Sequence, residues 1–456
     1  MGGLNTSLSI GVEALSVAQG ALSATSNNIA NTNTAGYTRK IPEINENALN
    51  VSDGLVTGGG VNLTGLQSVR DELLNMQIQQ QTSSKNSYET QYTALEQLQT
   101  YFTSTGNDIA SALSSFSSSL NALSASPSSS SVQQSVLSAG ENLANAFNNT
   151  AKGLTSEQSS MDSQVTQTVA KINTLTGQIA ALNGQIFQLS AEGKDTGTSQ
   201  DQRDELVSEL SKLTGISITQ SNDGEVISIG NGTTLVMGNQ SYSLQTTSGS
   251  DGTQHILDST GKDITTSISG GSLGGIIDLR DSVIPGYLDQ LNTMASDFAT
   301  AFNEAQAMGY DANGNTGGDF FSVPTSKSQA AAGISVAISD ASKIAMSSDG
   351  TSGSNGNVSN LLAAITNNLS SGQSISSAYA SLVSQVGNDT SNANEQSTAI
   401  GDSLTQLTDQ QSSISGVSID EETTNLIRYQ QAYEAAARIV STIQTLNAVT
   451  INMVSS

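Results

Sequence analysis

Cysteine and tryptophan are absent from the 456 residues, and His255 is the sole histidine. Disulfides, thiol nucleophiles, Cys/His zinc sites and any chemistry that needs two imidazoles in one chain are thereby excluded. Basic residues are also scarce: 15 Lys and Arg face 40 Asp and Glu, for a formal charge of −25 and a pI near 4.1. Such a chain repels phosphate backbones and anionic lipid, so no nucleic-acid partner is expected. Charged residues reach only 12% and apolar ones 36%, against roughly 25% and 45–50% in ordinary globular domains. Ser, Thr, Asn, Gln and Gly fill the difference. No run of about 18 apolar residues occurs, so no membrane insertion is expected. No Lys or Arg precedes Arg39, so the basic n-region of a cleaved secretory signal is missing. The length suits roughly two to four domains.

What the chain does have is helical periodicity. Leu8, Leu15, Leu22 and Ile29 fall seven apart, with Val12 and Ala18 beside them, on one stripe of a helix. From about Arg70 a helical tract runs towards Pro127, with Ile109, Leu113, Phe116, Leu120 and Leu123 as its seam. A second seam comprises Met161, Val165, Ile172, Leu175, Ile179, Leu182, Ile186 and Leu189, interrupted by Thr168 and ended by Gly193. It predicts a helix about 45 Å long. Between Thr214 and Gly271 the pattern changes to short β-rich runs separated by Asn-Asp-Gly, Gly-Asn-Gly and Gly-Asn turns, which predicts hairpins. Helical spacing returns at Leu288, Leu291, Phe298 and Phe302. Residues 309–357 read as strands and loops anchored by Phe320, Phe321, Val336 and Ile338, followed by helical tracts at 361–369, 375–386 and 400–414.

The last element mirrors the first. Ile419, Leu426, Tyr433 and Val440 are seven apart, with Tyr429, Ala436 and Ile443 in the companion positions. Asp420, Glu421 and Glu422 occupy its first turn, where negative charge complements the helix dipole. The fold class expected is mainly α with β insertions. Residues 1–45 with 415–456 form a terminal coiled coil, 46–213 with 272–308 and 358–414 a helical bundle, and 214–271 with 309–357 an outer β-rich domain. Periodicity alone leaves open whether the seams pack within one chain or between subunits.

Candidate chemistry is thin. Asp195-Thr196-Gly197-Thr198 matches the aspartic-protease tetrad, but a single copy after a helix cannot pair two carboxylates. Asp311, Asn313, Asn315 and Asp319 match positions 1, 3, 5 and 9 of a calcium loop, yet Thr316 and Ser322 stand where Gly and Glu belong. His255 lacks a Ser-His-Asp context. The Gly clusters at 58–60 and 270–275 lack phosphate-loop spacing. No catalytic residue, cofactor or metal is expected.

The segment SNNIANTNTAGYTR, from Ser26 to Arg39, resembles the N-terminal signature of the bacterial flagellar axial proteins, with Ala35 where the family has Pro. SIDEETTNLIRYQQAYEAAARIVSTI, from Ser418 to Ile443, is similar to their C-terminal signature. GGGVNLTGLQSVRDELLNMQ from Gly58, DQRDELVSELSKLTGISI from Asp201, GGSLGGIIDLRD from Gly270 and GYDANGNTGGDFF from Gly309 resemble blocks of the hook-associated members at the hook-filament junction. The ending LNAVTINMVSS departs from the family's usual tail. The resemblance implies a non-enzymatic, extracellular assembly protein, exported unfolded from the cytoplasm by the flagellar type III system. Its implied partners are the hook protein, an adjacent hook-associated protein, further copies of itself in a helical ring, and an export chaperone on the C-terminal helix. The residues implied are Leu8, Leu15, Leu22 and Ile29 packing with Leu426, Tyr433, Val440 and Ile443, and a signature loop of Asn28, Asn31, Gly36, Tyr37 and Arg39. In that loop Gly36 is expected at φ > 0 and Tyr37 as the packing anchor. The alternatives are the third hook-associated protein or a flagellin and, from another class, a secreted coiled-coil adhesin.

Overall fold

The computed structural model describes residues 2–34, 36–48, 50–52, 55–103, 108–221, 224–250, 252–370 and 372–455. The chain opens with α1 (Gly2–Ala30), then β1 (Lys40–Glu46), β2 (Asn50–Ser52), β3 (Leu55–Thr57) and β4 (Val61–Ser68), paired antiparallel as β1 with β4 and β2 with β3. Residues 50–52, 55–57 and 61–68, expected in the helical bundle, are therefore strands, and β1 and β4 lie against α1. Heptad counting missed them because their apolar residues are sparse and a bulge at Glu43/Ile44 breaks the alternation.

The body begins with α2 (Glu72–Thr103), α3 (Ile109–Ala125), α4 (Ser130–Ala191) and α5 (Gly197–Leu213). Asp108 caps α3 by accepting from Ser111 N at 2.9 Å. With 62 residues, α4 is about 93 Å long, twice the predicted length, since its N-terminal half follows a different row, Val136, Leu143, Phe147 and Leu154. At Thr168 the seam passes through the neighbouring Val169, which is buried, so the core row continues without a polar step.

Six strands follow: β5 (Ile216–Ser221), β6 (Gly224–Ile229), β7 (Thr233–Met237), β8 (Gln240–Ser241), β9 (Gln245–Ser248) and β10 (Gln254–Leu257). The first four form a meander and the last two a hairpin. They pack on the C-terminal half of α4. Asn173, on α4, receives Leu244 N on its Oδ1 and donates Nδ2 to Leu244 O, both at 2.8 Å. The chain returns through α6 (Gly271–Asp278), a π-helical turn (Leu279–Val283) and α7 (Ile284–Ala307). Inside that turn Arg280 is 1% exposed, bonded to Asp162 at 2.8 Å, Asp281 at 2.6 Å and Gln254 O at 2.7 Å. One side chain thus joins α4, β10 and the turn.

Then come β11 (Phe321–Ser322), α8 (Ala330–Gly333), β12 (Ser335–Val336), α9 (Val358–Thr366), α10 (Ile375–Ser415) and α11 (Ile419–Ser455). Residues 309–357 do not join the 214–271 strands as expected. Phe320 and Phe321 insert among Phe116, Phe298 and Phe302 of the helical core, with centroid distances of 5.1 Å for Phe302–Phe320 and 4.8 Å for Phe320–Phe321. Asn303 fixes them: its Oδ1 accepts from both Phe320 N and Phe321 N at 2.9 Å. The tracts at 375–386 and 400–414 are one helix, α10.

Candidate functional site

The two terminal helices pair antiparallel into a rod. Gly11 on α1 faces Val440 on α11, where an added Cβ would lie 3.0 Å from Val440 Cγ2. At the other end Arg39 Nη1 meets Glu421 Oε2 at 2.7 Å. On α1 the deepest row is Val17, Ala18, Ala21 and Ala24, and Leu8, Leu15, Leu22 and Ile29 are half-buried beside it. On α11 the deepest residues are Glu422, Ala436 and Ile443; Leu426 and Val440 are half-buried, and Tyr433 lies at the margin. Small residues at the centre let the backbones approach, which a leucine row cannot do. The third partner is β4: at Gly20 a Cβ would sit 2.3 Å from Leu63 Cδ2.

Among the described residues, α11 exposes much apolar surface. Ile439 is 53% exposed, Leu446 50%, Val449 51% and Met453 74%. Their spacings of seven, three and four residues define a second seam on α11, flanking the one that faces α1. On α1, Val12 is 50% exposed.

The signature loop folds around Asn28, which is buried at the end of α1. Its Oδ1 accepts from Tyr37 OH at 2.8 Å and Lys40 N at 3.0 Å, and its Nδ2 donates to Lys40 O at 2.8 Å. Asn31 Nδ2 donates to Asn27 O at 2.9 Å, one turn back. Gly36 has φ +74°, a left-handed conformation that L side chains rarely adopt. Ala35 lies outside the described residues. Burial, followed by the charges of Asp201, Glu422 and Asp195, pushes the Tyr37 phenol up to about 12, so it stays a donor.

Around this loop the structure collects charges that sequence reading did not connect. Lys40 Nζ lies 2.8 Å from Asp195 Oδ2 and donates to Thr198 Oγ1 at 2.9 Å. The Asp-Thr-Gly-Thr tetrad thus anchors a lysine instead of pairing carboxylates. Arg70 pairs with Asp201 at 2.5 Å, with Asp204, and donates to Gly197 O at 3.2 Å. These partners are separated by more than a hundred residues, so no local pattern reports them. The one available signal was the acidic block Asp201 to Glu205.

The remaining motifs are structural. Asp311 Oδ1 accepts from Asn313 N at 2.8 Å and Asn315 N at 2.9 Å, closing a turn. His255 Nδ1 lies 2.5 Å from Asp263 Oδ2; the Thr265 hydroxyl, followed by the imidazole, holds Asp263 down to about 2. Among the described residues no cluster of three or more His, Cys, Asp or Glu could hold a metal, and no helix is long and apolar enough to cross a membrane.

Comparison with known proteins gives matches along nearly the whole chain. Residues 95–321 match the family described as flagellar hook-associated protein FlgK helical domain. Residues 8–38 match the flagella basal body rod protein family, and residues 410–453 the C-terminal family of the flagellar basal body rod FlgEFG proteins. The chain is similar to flagellar hook-associated protein 1 of Bacillus subtilis, with 30% identity over 96% of each chain. It is 27% identical to the Escherichia coli protein of that name, over 95% of this chain and 96% of the other. Its fold is similar to that of the flagellar hook junction protein FlgK from Burkholderia pseudomallei, with a TM-score of 0.68, 20% identity and coverage of 75% of this chain and all of the other.

Proposed function

This chain belongs to the flagellar hook-associated protein 1 family, and from that premise we propose that it joins hook to filament through its terminal rod. Its role is structural, as a component of the extracellular flagellum. The observation that carries the assembly mechanism is the exposed apolar row of Ile439, Leu446 and Val449. A two-helix pair covers one narrow stripe on each helix, whereas α11 is apolar over a wider arc, so at least a third helix is needed to bury it. Neighbouring copies in a helical ring supply such helices, and the hook protein and the adjacent hook-associated protein supply them at the ring's two faces.

Before assembly the same face needs protection from water. A cytoplasmic chaperone on α11 provides it, in the manner of an amphipathic helix bound in a groove. Export through the type III system in an unfolded state agrees with a chain that contains no cysteine to cross-link in transit. The test is Leu426→Asp, which places a charge in the half-buried seam facing α1. The substituted protein should keep its body folded by circular dichroism yet fail to appear in isolated flagella. Normal incorporation would remove the seam from the mechanism.

A further inference from the structure

Among the described residues, rod and body share no hydrophobic cluster. The body's hydrophobic cluster includes no described residue of α1, β1, β4 or α11. Between named elements the rod packs on the body through β4 against α5, with Ser68 and Lys40 beside Gly197. Two stretches of backbone cross between them, residues 69–71 and 416–418. The other ties are polar. Lys40 Nζ reaches Asp195 at 2.8 Å, Arg70 grips Asp201 at 2.5 Å and Asp204, and Arg39 N donates to Ser415 O at 3.0 Å. Arg39 also pairs with Glu421, tying the loop to the first turn of α11. Three of the chain's 15 basic residues converge on this joint.

The joint is also less completely satisfied than the body. Of five buried side-chain atoms without a partner among the described residues, Arg39 Nε, Ser68 Oγ and Arg70 Nε are here. A polar cleft lined by Thr32, Tyr37, Arg70, Asn75, Gln411 and Ser415 lies beside them. Close apolar packing holds one arrangement, whereas a polar interface with charge pairs and an adjoining cleft permits relative motion and responds to salt.

We propose that Lys40 and Arg70, held against Asp195, Asp201 and Asp204, form an ionic latch that sets the angle between rod and body, while the Arg39–Glu421 pair braces the base of the rod itself. Releasing it lets the rod swing about residues 69–71 and 416–418. The latch is a property of the single chain and stands whatever the rod assembles with. It gives a subunit a way to adapt its inner rod and outer body to neighbours of different geometry.

The absence of native cysteine allows clean site-specific spin labelling. Labels at Ala399→Cys on α10 and Ala435→Cys on α11 occupy exposed positions on either side of the joint, within about 55 Å of each other at helical rise. Pulsed electron paramagnetic resonance on the full chain should give a narrow distance distribution at about 50 mM salt and a roughly twofold broader one at about 1 M, where the Debye length falls to about 3 Å. Arg70→Gln should broaden it at low salt, and Arg70→Lys should restore part of the order. The salt series needs no substitution in the latch, so it remains decisive if Arg70→Gln fails to fold. A distribution of unchanged width across the salt series, whether narrow or broad, overturns the latch.

Discussion

Asn28 serves three polar groups at once, and no apolar residue of similar size can replace it. Removing its side chain leaves Lys40 N and Lys40 O without their partner and frees the Tyr37 hydroxyl in a half-buried site. Asn28→Ala should destabilise the base of the rod by about 2–3 kcal/mol, read as faster amide exchange at Lys40 while body amides are unaffected. Glu157 is a second informative residue. It is buried on α4, accepts from Gln97 Nε2 at 3.1 Å, and burial raises its carboxyl above the ordinary range. The folded state therefore binds a proton that the unfolded chain releases. The stability from this group is fully present below the ordinary carboxylate value and is lost as pH rises through the raised one. Glu157→Gln should accordingly melt higher than wild type at about pH 8 and gain little at about pH 4. An equal gain at both would remove titration as the cause. Neither residue's partners could be read from sequence, because each lies on another element or beyond a loop.

Elements were more legible than contacts. The seams at Ile109 to Leu123 and Met161 to Ile179 are buried, since a helix shows its core face at fixed intervals. Strands β1 and β4 escaped notice because a bulged two-stranded ribbon carries little alternation. Residues 309–357 misled for another reason: Gly- and Asn-rich composition reports local backbone, and it says nothing of where Phe320 and Phe321 insert. Phe321→Ala should cost about 3–5 kcal/mol by leaving a cavity among four rings, with proteolysis of residues 309–357 as the local readout. Loss of stability without new cleavage there would mean the segment docks by other contacts. The terminal helices were legible as seams, but their inner row is alanine-rich and the leucines lie beside it.

The whole molecule consists of a body with one continuous apolar cluster and a rod outside it. Since that cluster draws on no described residue of the rod, a chain lacking 1–68 and 419–456 should melt cooperatively near the temperature of the full-length body transition, by calorimetry. A loss of cooperativity would show that the rod supports the body after all. The exposed apolar row on α11 is, in turn, the surface on which the proposed assembly rests. The measurement that tests this most directly is electron microscopy of a strain lacking the gene, together with assay of its medium. The account predicts hooks that bear no filaments and flagellin shed into the medium. Filaments of normal number and length on that strain would contradict it.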